Sequence, residues 1–184
     1  RAAPYQDIHD MLSNIQGRTA SAFILALALG ACATSPGSIG GDKPITITFD
    51  ARVSDKPARC GETYAGVGTS KALIFLQDFR IYVSNVRLIA ANGQEVPFAL
   101  APDNQWQSDK VALLDFENAS GNCNGNAATN NALRGTAPAG VYTGLVFEIG
   151  VPYDLNHKDP TLASAPLNYS AMTWPWRIGY KFTA

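Results

Sequence analysis

Strict alternation of apolar and polar side chains marks both ends of the region that is expected to fold. In the segment 45–51 the apolar side chains occupy every second position: Ile45, Ile47, Phe49 and Ala51. The segment 176–182 repeats the pattern with Trp176, Ile178, Tyr180 and Phe182. A two-residue period is typical of a strand with one buried face. Two half-buried strands are therefore predicted at these ends.

The longest apolar-rich segment, residues 72–90, is rich in β-branched and aromatic side chains. This composition predicts two strands with a bend at Ser84–Asn85, and a helix is the alternative for residues 72–78. The turn at residues 91–93 leads to a hairpin partner at residues 94–100. Pro97 lacks an N–H group, which predicts that this partner lies at a sheet edge.

Two more strands are predicted at residues 111–117 and 141–149, the second as a core strand. Polar and glycine-rich stretches at 52–70 and 119–140 are predicted to be loops. The count is about seven strands, with no helix after an N-terminal apolar run. The predicted fold class is therefore all-β, an antiparallel sandwich or barrel.

The N-terminal apolar run, residues 19–32, follows Arg18 and shows no alternation. It ends in Leu29-Gly-Ala-Cys32, which is similar to the lipobox of bacterial lipoproteins, where the cysteine receives the lipid. The run is too short to span a membrane and predicts a secretory signal with lipidation at Cys32. A buried N-terminal helix is the alternative, and Met11 suits the start of a signal.

This interpretation divides the chain into three parts. Residues 1–32 are upstream residues and the signal, and the Ser/Gly/Pro-rich residues 33–43 are a flexible tether. Residues 44–184 are the β domain. The protein is accordingly expected in the periplasm, held to the cell envelope through a lipid anchor.

Charge and cysteine content narrow the functional classes. The chain has 14 basic and 15 acidic residues, interspersed, so no basic face predicts nucleic-acid binding. Apart from Cys32, the chain has Cys60 and Cys123, which in an exported protein most simply pair as a disulfide. A metal site at these two cysteines is the weaker alternative, because neither has a CxxC or histidine neighbour.

The segment 153–176 concentrates rare residues: His157, Met172, Trp174 and Trp176. Histidine with methionine suits a soft or borderline metal such as copper. The alternative is a surface histidine, a core methionine and tryptophans that cap one end of the sandwich. No nucleophile elbow, HExxH or phosphate loop occurs, which favours a function other than an enzyme. Spacing does not distinguish the acid pair Asp115 and Glu117 from solvated loop charges.

Long motifs that occur in order between residues 45 and 182 carry a resemblance to a known family. They include Cys60-Gly-Glu-Thr-Tyr64, Gln77-Asp-Phe-Arg-Ile-Tyr-Val-Ser-Asn-Val-Arg-Leu88, Val111-Ala-Leu-Leu-Asp-Phe-Glu-Asn118, Pro138-Ala-Gly-Val-Tyr-Thr-Gly-Leu-Val-Phe-Glu-Ile-Gly-Val-Pro152, Leu155-Asn-His157, Met172-Thr-Trp-Pro-Trp176 and Gly179-Tyr-Lys-Phe182. Together they resemble the MbnP-like family of bacterial periplasmic copper-binding proteins. Some relatives are described as the four-Cys member of a "metallo-mystery pair".

The resemblance implies a partner, a di-haem cytochrome c peroxidase-like (MauG-like) enzyme that oxidises a tryptophan to kynurenine. Copper would bind near that residue with help from a histidine. The matching residues are His157, Trp174 and Trp176, with Met172 in the same motif, and Trp174 is favoured as the modified one. The family continues past the last strand with another histidine and further cysteines, so a truncated C-terminus is expected. The alternative function is a structural or protein-binding envelope lipoprotein without metal.

Overall fold

The computed structural model describes residues 41–175 and 178–184, so the predicted signal, Cys32 and Trp176 lie outside the described residues. Within these ranges the chain forms eleven strands: β1 Lys43–Thr48, β2 Arg52–Val53, β3 Lys56–Pro57, β4 Thr63–Val67, β5 Ala72–Phe75, β6 Arg80–Ala90, β7 Glu95–Pro97, β8 Ala99–Leu100, β9 Val111–Asp115, β10 Ala132–Ala137 and β11 Tyr142–Ile149. A one-turn helix, α1, spans Tyr153–Asn156, and a 3-10 turn spans Ser170–Met172. None of the described helices has the length and apolar character needed to cross a membrane.

Two antiparallel sheets pack face to face, which confirms the predicted all-β antiparallel sandwich. One sheet has the order β1-β10-β8, and the other has β11-β6-β7 with β9 also paired to β6. Their facing side chains form the sandwich core, centred on Val83, Val86, Leu88, Phe98, Leu100, Ala112, Leu114, Leu133 and Ala137. The predicted alternation in β1 is confirmed, because Ile45, Ile47 and Phe49 pack against this core.

Strand β6 is the centre of the second sheet. One edge pairs with β11, and the other pairs with β7 and then β9. The predicted bend at Ser84–Asn85 is a bulge inside one strand: Asn85 has φ 48°, and the pairing with β11 shifts there. The prediction of two strands within 72–90 is correct, but the break lies at residues 76–79.

The passage from β7 to β8 carries the chain from one sheet to the other through a single residue, Phe98. The predicted hairpin of β6 with residues 94–100 is confirmed only for its first half, β7, where Pro97 lies in an edge strand as predicted. The second half, β8, pairs with β10. Phe98 itself is buried in the sandwich core.

Three sequence predictions are wrong. Residues 132–137, assigned to a loop, form β10, whose small residues hide the strand pattern. Its Gly135 leaves room for a close neighbour, since a Cβ there would lie 2.7 Å from the Phe98 ring. Strand β11 lies at a sheet edge and has no buried residue, so it is not a core strand. Short hairpins β2–β3 and β4–β5 interrupt the segment predicted as a polar loop.

The predicted C-terminal strand is also wrong for its described part. Tyr180 is buried, but Ile178 and Phe182 are 61% and 41% exposed, so the three do not share one buried face. Gly179 has φ 91°, a left-handed conformation that interrupts a strand. Isolated bridges from Tyr180 to Thr173 and from Thr183 to Ile81 hold the segment instead.

A second core covers the outer face of β6 and β9. It contains Tyr82 from β6 and Val111 and Leu113 from β9, joined by loop residues: Trp106, Val151, Leu167, Met172 and Tyr180. The Tyr82 hydroxyl donates a 2.8 Å hydrogen bond to the Pro166 carbonyl. The buried Gln107 amide donates to the carbonyls of Ala101 and Arg134, and its oxygen accepts the Arg134 N–H. Tyr82 thus satisfies a loop carbonyl, and Gln107 joins the loop before β9 to backbone groups of β10 and of Ala101, the residue after β8.

Candidate functional site

The helix α1 places His157 at the surface. Pro152 precedes the helix, and its fixed φ suits the entry to a first turn. His157 follows the last helical residue and is exposed, with its ring in an edge contact with Tyr153 at 5.9 Å between centroids. A hydrogen bond from Lys110 to Asp154 (3.0 Å) lowers the pKa of Asp154 from its ordinary value. Because His157 is exposed, its imidazole is available to a ligand from solvent.

Trp174 lies in a tight turn held by backbone hydrogen bonds. Its N–H donates to the Gly179 carbonyl at 2.9 Å, and the Lys181 N–H donates to the Met172 carbonyl at 3.0 Å. This pairing brings the Lys181 ammonium to 4.8 Å from the centroid of the indole ring, within the range of a cation–π interaction. The indole remains 52% exposed. The turn thus presents an accessible tryptophan under a fixed positive charge.

The segments that carry His157 and Trp174 are in direct contact through Asn156 and Gly179. The Asn156 Oδ1 accepts the Tyr180 N–H at 2.9 Å. A Cβ on Gly179 would lie 2.6 Å from both the carbonyl oxygen and the Oδ1 of Asn156, so only glycine fits there. His157 follows Asn156 in the chain, and the Trp174 N–H is hydrogen-bonded to the Gly179 carbonyl. The close contact between Asn156 and Gly179 therefore fixes the position of one segment relative to the other.

Met172 does not share this surface. It has no solvent exposure and packs in the second core, next to Tyr82 and Tyr180. Its thioether therefore occupies the core-filling position that the sequence left open as an alternative. Trp176 lies outside the described residues.

A cleft of about 450 Å³ adjoins the site. It lies between α1 and the loop before β9, and its lining residues include Lys110, Leu155, Lys158, Leu162 and Tyr180. Burial raises the pKa of Tyr180 from its ordinary value, and the charge of Asp159 adds to the shift. The cleft thus has apolar walls, with Lys110 and Lys158 also among its lining residues, and it could bind an apolar group of another molecule.

A buried charged cluster lies where the start of β6 pairs with the end of β9, and it was not recognised in the sequence. Arg80 forms two hydrogen bonds with the Asp78 carboxylate, at 2.6 and 2.7 Å. Asp115 and Glu117 are fully buried, so they are not solvated loop charges. Burial raises the pKa of Asp115 to about 7, and its Oδ2 has no hydrogen-bond partner among the described residues.

The disulfide between Cys60 and Cys123 is present, as predicted, and lies beside this cluster. A Glu117 carboxylate oxygen and the two sulfur atoms all lie within 4.8 Å of one another. Across residues 41–175 and 178–184, no other three His, Cys, Asp or Glu side chains meet in this way. His157 thus has no such neighbours in that part of the chain.

Sequence reasoning missed Asn156, Gly179 and Lys181 as site residues. Asn156 and Gly179 occur in motifs quoted above, Leu155-Asn-His157 and Gly179-Tyr-Lys-Phe182. Their roles depend on a contact between distant segments, which no local pattern reports. A glycine inside an otherwise alternating segment was the available signal, since it often marks close backbone approach.

Comparisons with known proteins agree with the resemblance seen in the motifs. A sequence model described as MbnP matches residues 42–184. The solved structure of MbnP from Methylosinus trichosporium superposes with a TM-score of 0.66 at 34% identity, covering 78% of this chain and 54% of that one. The chain thus spans about half the length of that protein. A comparison with curated proteins gives no match. The match over residues 42–184 and the similar fold together establish that the chain belongs to the MbnP family.

Proposed function

We propose that this protein binds copper in the periplasm and is the partner, and the oxidation substrate, of a di-haem cytochrome c peroxidase-like enzyme. The observation that carries the proposal is the Asn156–Gly179 contact, which joins the segments of His157 and Trp174 in a member of the MbnP family. The similarity of Leu29–Cys32 to a lipobox and the Cys60–Cys123 disulfide support export and a lipid anchor.

The oxidation is a peroxide-dependent cleavage of the indole C2–C3 bond. Two molecules of hydrogen peroxide are reduced to water while the two carbons gain one oxygen each, giving N-formylkynurenine. Hydrolysis then releases formate and leaves an aryl amine and a ketone. The haem enzyme supplies the redox chemistry, and this protein presents the indole of Trp174, which is 52% exposed.

The donor chemistry fits copper in part. Imidazole is a good ligand for copper, and the exposed His157 supplies one. An aryl amine formed from Trp174 or Trp176 would supply a second nitrogen. Met172 is withdrawn into the core, so copper coordination by its sulfur would require the 3-10 turn to open. The described residues thus support a site with few protein ligands, built around His157.

Exposed apolar side chains around the site support protein docking. Tyr153 and Leu162 are 88% and 85% exposed, and Ile178 is 61% exposed. Each belongs to α1, to the loop after it or to the turn that follows Trp174. Exposed apolar groups of this kind are typical of surfaces that meet another protein. The haem enzyme is accordingly proposed to dock on this face of the second core.

The copper half of the proposal is tested by metal analysis of the full chain. We expect about one copper per chain, and a clear loss in His157→Ala, because imidazole is the principal donor in the described residues. Lys158→Ala, an adjacent exposed residue, is the matched control and should retain copper. Equal copper content in His157→Ala and Lys158→Ala would remove His157 from the site.

The oxidation half is tested by mass spectrometry of the peptide that contains Trp174 and Trp176. After incubation with the di-haem enzyme and peroxide, the peptide should gain two oxygen atoms or the mass change of kynurenine. Trp174→Phe and Trp176→Phe, compared separately, identify the modified residue. An unmodified peptide in the presence of active enzyme would contradict this half, whatever the copper content.

A further inference from the structure

A buried carboxylate, that of Glu117, lies against the Cys60–Cys123 disulfide, outside the segments that carry the proposed copper site. The Sγ atoms of Cys60 and Cys123 are bonded to each other, and a Glu117 oxygen lies within 4.8 Å of both. Glu117 and Cys123 are buried, and Cys60 is partly buried. A carboxylate in such a place needs polar partners, since burial of an unpaired charge is costly.

The chain folds back on Glu117 to hold it. Its Oε2 accepts the Ala119 N–H at 3.0 Å, and its Oε1 accepts the Asn126 N–H at 3.1 Å. Gly125 passes so close that a Cβ there would lie 1.7 Å from Oε1. An ionised carboxylate has about four acceptor positions, so two backbone donors leave room for another ligand. The loop therefore orients Glu117 without saturating it.

We propose that reduction of Cys60–Cys123 creates a binding site for a borderline divalent metal ion of the Zn²⁺ class, with two thiolates and the Glu117 carboxylate as ligands. A dithiol reductant supplies two electrons and two protons, leaving two thiols and its own disulfide. The metal ion then displaces the two thiol protons into solvent. The disulfide protects the ligands when oxidised, and the site is redox-gated.

The ligand types and spacing suit this ion class. Thiolate and carboxylate oxygen bind zinc at about 2.3 and 2.1 Å, so adjacent ligand atoms in a tetrahedral site are about 3.5–4 Å apart. The carboxylate oxygen lies within 4.8 Å of both sulfur atoms, and breaking the S–S bond lets the sulfurs move apart toward that spacing. Both cysteines lie between strands, Cys60 after β3 and Cys123 between β9 and β10. Separation of the two sulfur atoms therefore does not require any hydrogen bonds between the strands of the sandwich to break.

The surrounding charges also favour a dication. Arg80 is the one cation of the cluster, and its Nη2 lies 3.9 Å from Glu117 Oε1. Asp78 and Asp115 are the neighbouring acids that face Arg80. Even where Asp115 is protonated, Asp78 and Glu117 outnumber Arg80 before any thiolate forms. A metal ion would meet an electrostatic environment that attracts it.

The test uses Co²⁺, whose thiolate complexes have sulfur-to-metal charge-transfer bands and, in tetrahedral geometry, strong visible bands. The protein carries His157→Ala, so that the proposed copper site does not contribute. After anaerobic reduction with a phosphine and removal of metal by a chelator, we expect about one Co²⁺ per chain with these bands, displaced by Zn²⁺. The oxidised protein should show none of them.

Glu117→Gln distinguishes the three-ligand site from a simple dithiol. We expect Co²⁺ affinity to fall about tenfold or more and the visible bands to shift, because a ligand is lost. Glu62→Gln removes an exposed carboxylate two residues from Cys60 and should behave as the unsubstituted protein. Equal affinities and spectra for Glu117→Gln and Glu62→Gln would overturn the proposal.

Loss of structure on reduction does not prevent the test. If near-ultraviolet circular dichroism shows that the reduced chain has unfolded, added Zn²⁺ should restore the signal, since binding to the folded state drives folding. Failure of both Co²⁺ binding and Zn²⁺-driven recovery would overturn the proposal. The proposed copper function would be untouched, because it concerns His157 and the oxidised protein.

Discussion

Strands β6 and β9 are buried on both faces, but the two faces are covered by different means. On the inner face, the other sheet covers Val83, Ala112 and Leu114 with aliphatic and aromatic side chains. On the outer face, loops before β9 and after β11 cover Tyr82, Val111 and Leu113. The first core is built by strand alternation, and the second by irregular chain segments.

The difference explains the polar contact that Tyr82 makes in the second core. Strands satisfy their own backbone groups, but loops packed on a sheet need partners from side chains. The Tyr82 hydroxyl supplies one of them, to the Pro166 carbonyl. The proposed copper site is carried by these loops, so its geometry depends on polar contacts that the sandwich core does not need.

Removal of the disulfide should have the largest effect on stability. Cys60 and Cys123 are 63 residues apart in sequence, and in the chain-entropy model a loop of this size contributes about 4 kcal/mol to the free energy of unfolding. The double variant Cys60→Ser, Cys123→Ser should lose about that much. Urea unfolding followed by both circular dichroism and Trp fluorescence measures it. Transitions at different urea concentrations would show that the two cores unfold independently.

Truncation inside each core should cost somewhat less. Leu133→Ala in the sandwich core and Met172→Ala in the second core each remove a side chain with no exposure, so each should cost about 3 kcal/mol. Loops collapse around a cavity more readily than paired strands do, so Leu133→Ala should be the larger loss. Chemical denaturation measures both, and Met172→Leu is the volume-conserving control. A larger loss in Met172→Ala would reverse the comparison.

The pH dependence of stability should carry the signature of Asp115. Burial raises its pKa from 3.8 to about 7, so the folded state binds this proton more tightly than the unfolded state does. Its contribution is full below about pH 4 and is lost as pH rises to 7. Asp115→Asn should remove that decline, about 3 kcal/mol between these limits.

Denaturation of the disulfide-bonded protein at several pH values checks this prediction. The difference between the unsubstituted protein and Asp115→Asn isolates the group from other carboxylates. An unchanged profile would show that Asp115 titrates at its ordinary pKa. Asp78→Asn is unsuitable as a control because it also removes the partner of Arg80.

The smallest expected effect is a difference in stability between substitutions of two tyrosines, Tyr82 and Tyr180, whose ring centroids are 5.8 Å apart. The Tyr82 hydroxyl bonds the Pro166 carbonyl, so Tyr82→Phe should cost about 1 kcal/mol. The buried Tyr180 hydroxyl has no partner among the described residues, so Tyr180→Phe should cost about 0 kcal/mol or be slightly stabilising. Thermal unfolding of the two variants measures the difference in their stability. Equal losses would mean that Tyr180 has a polar partner in solution.

The sandwich was largely predictable from the sequence because its strands follow a local period. β1, β6, β7 and β9 were found from alternation or from β-branched content. β10 was missed because its small residues have little strand propensity, and Gly135 is required by the close approach of Ala99 and Phe98. The break before Arg80 was misplaced because a bulge at Asn85 resembles a strand end.

The candidate site was predictable in its chemistry but not in its geometry. Rare residue types and the family resemblance pointed to His157 and Trp174. The alternation of residues 176–182 suggested a strand, but a left-handed Gly179 seated on Asn156 makes a turn there. Contacts between segments more than twenty residues apart determine this arrangement, as in the hydrogen bond from Tyr180 to Asn156. Local periodicity contains no information about them.

The single residue between β7 and β8 has a consequence for how the molecule responds to load. Because Pro97 belongs to one sheet and Ala99 to the other, the covalent chain at Phe98 is too short to let the layers slide past each other. The sandwich therefore provides a rigid scaffold for the loops on its outer face. A protein that docks on those loops would change the conformation of the loops and leave the arrangement of the two sheets unchanged.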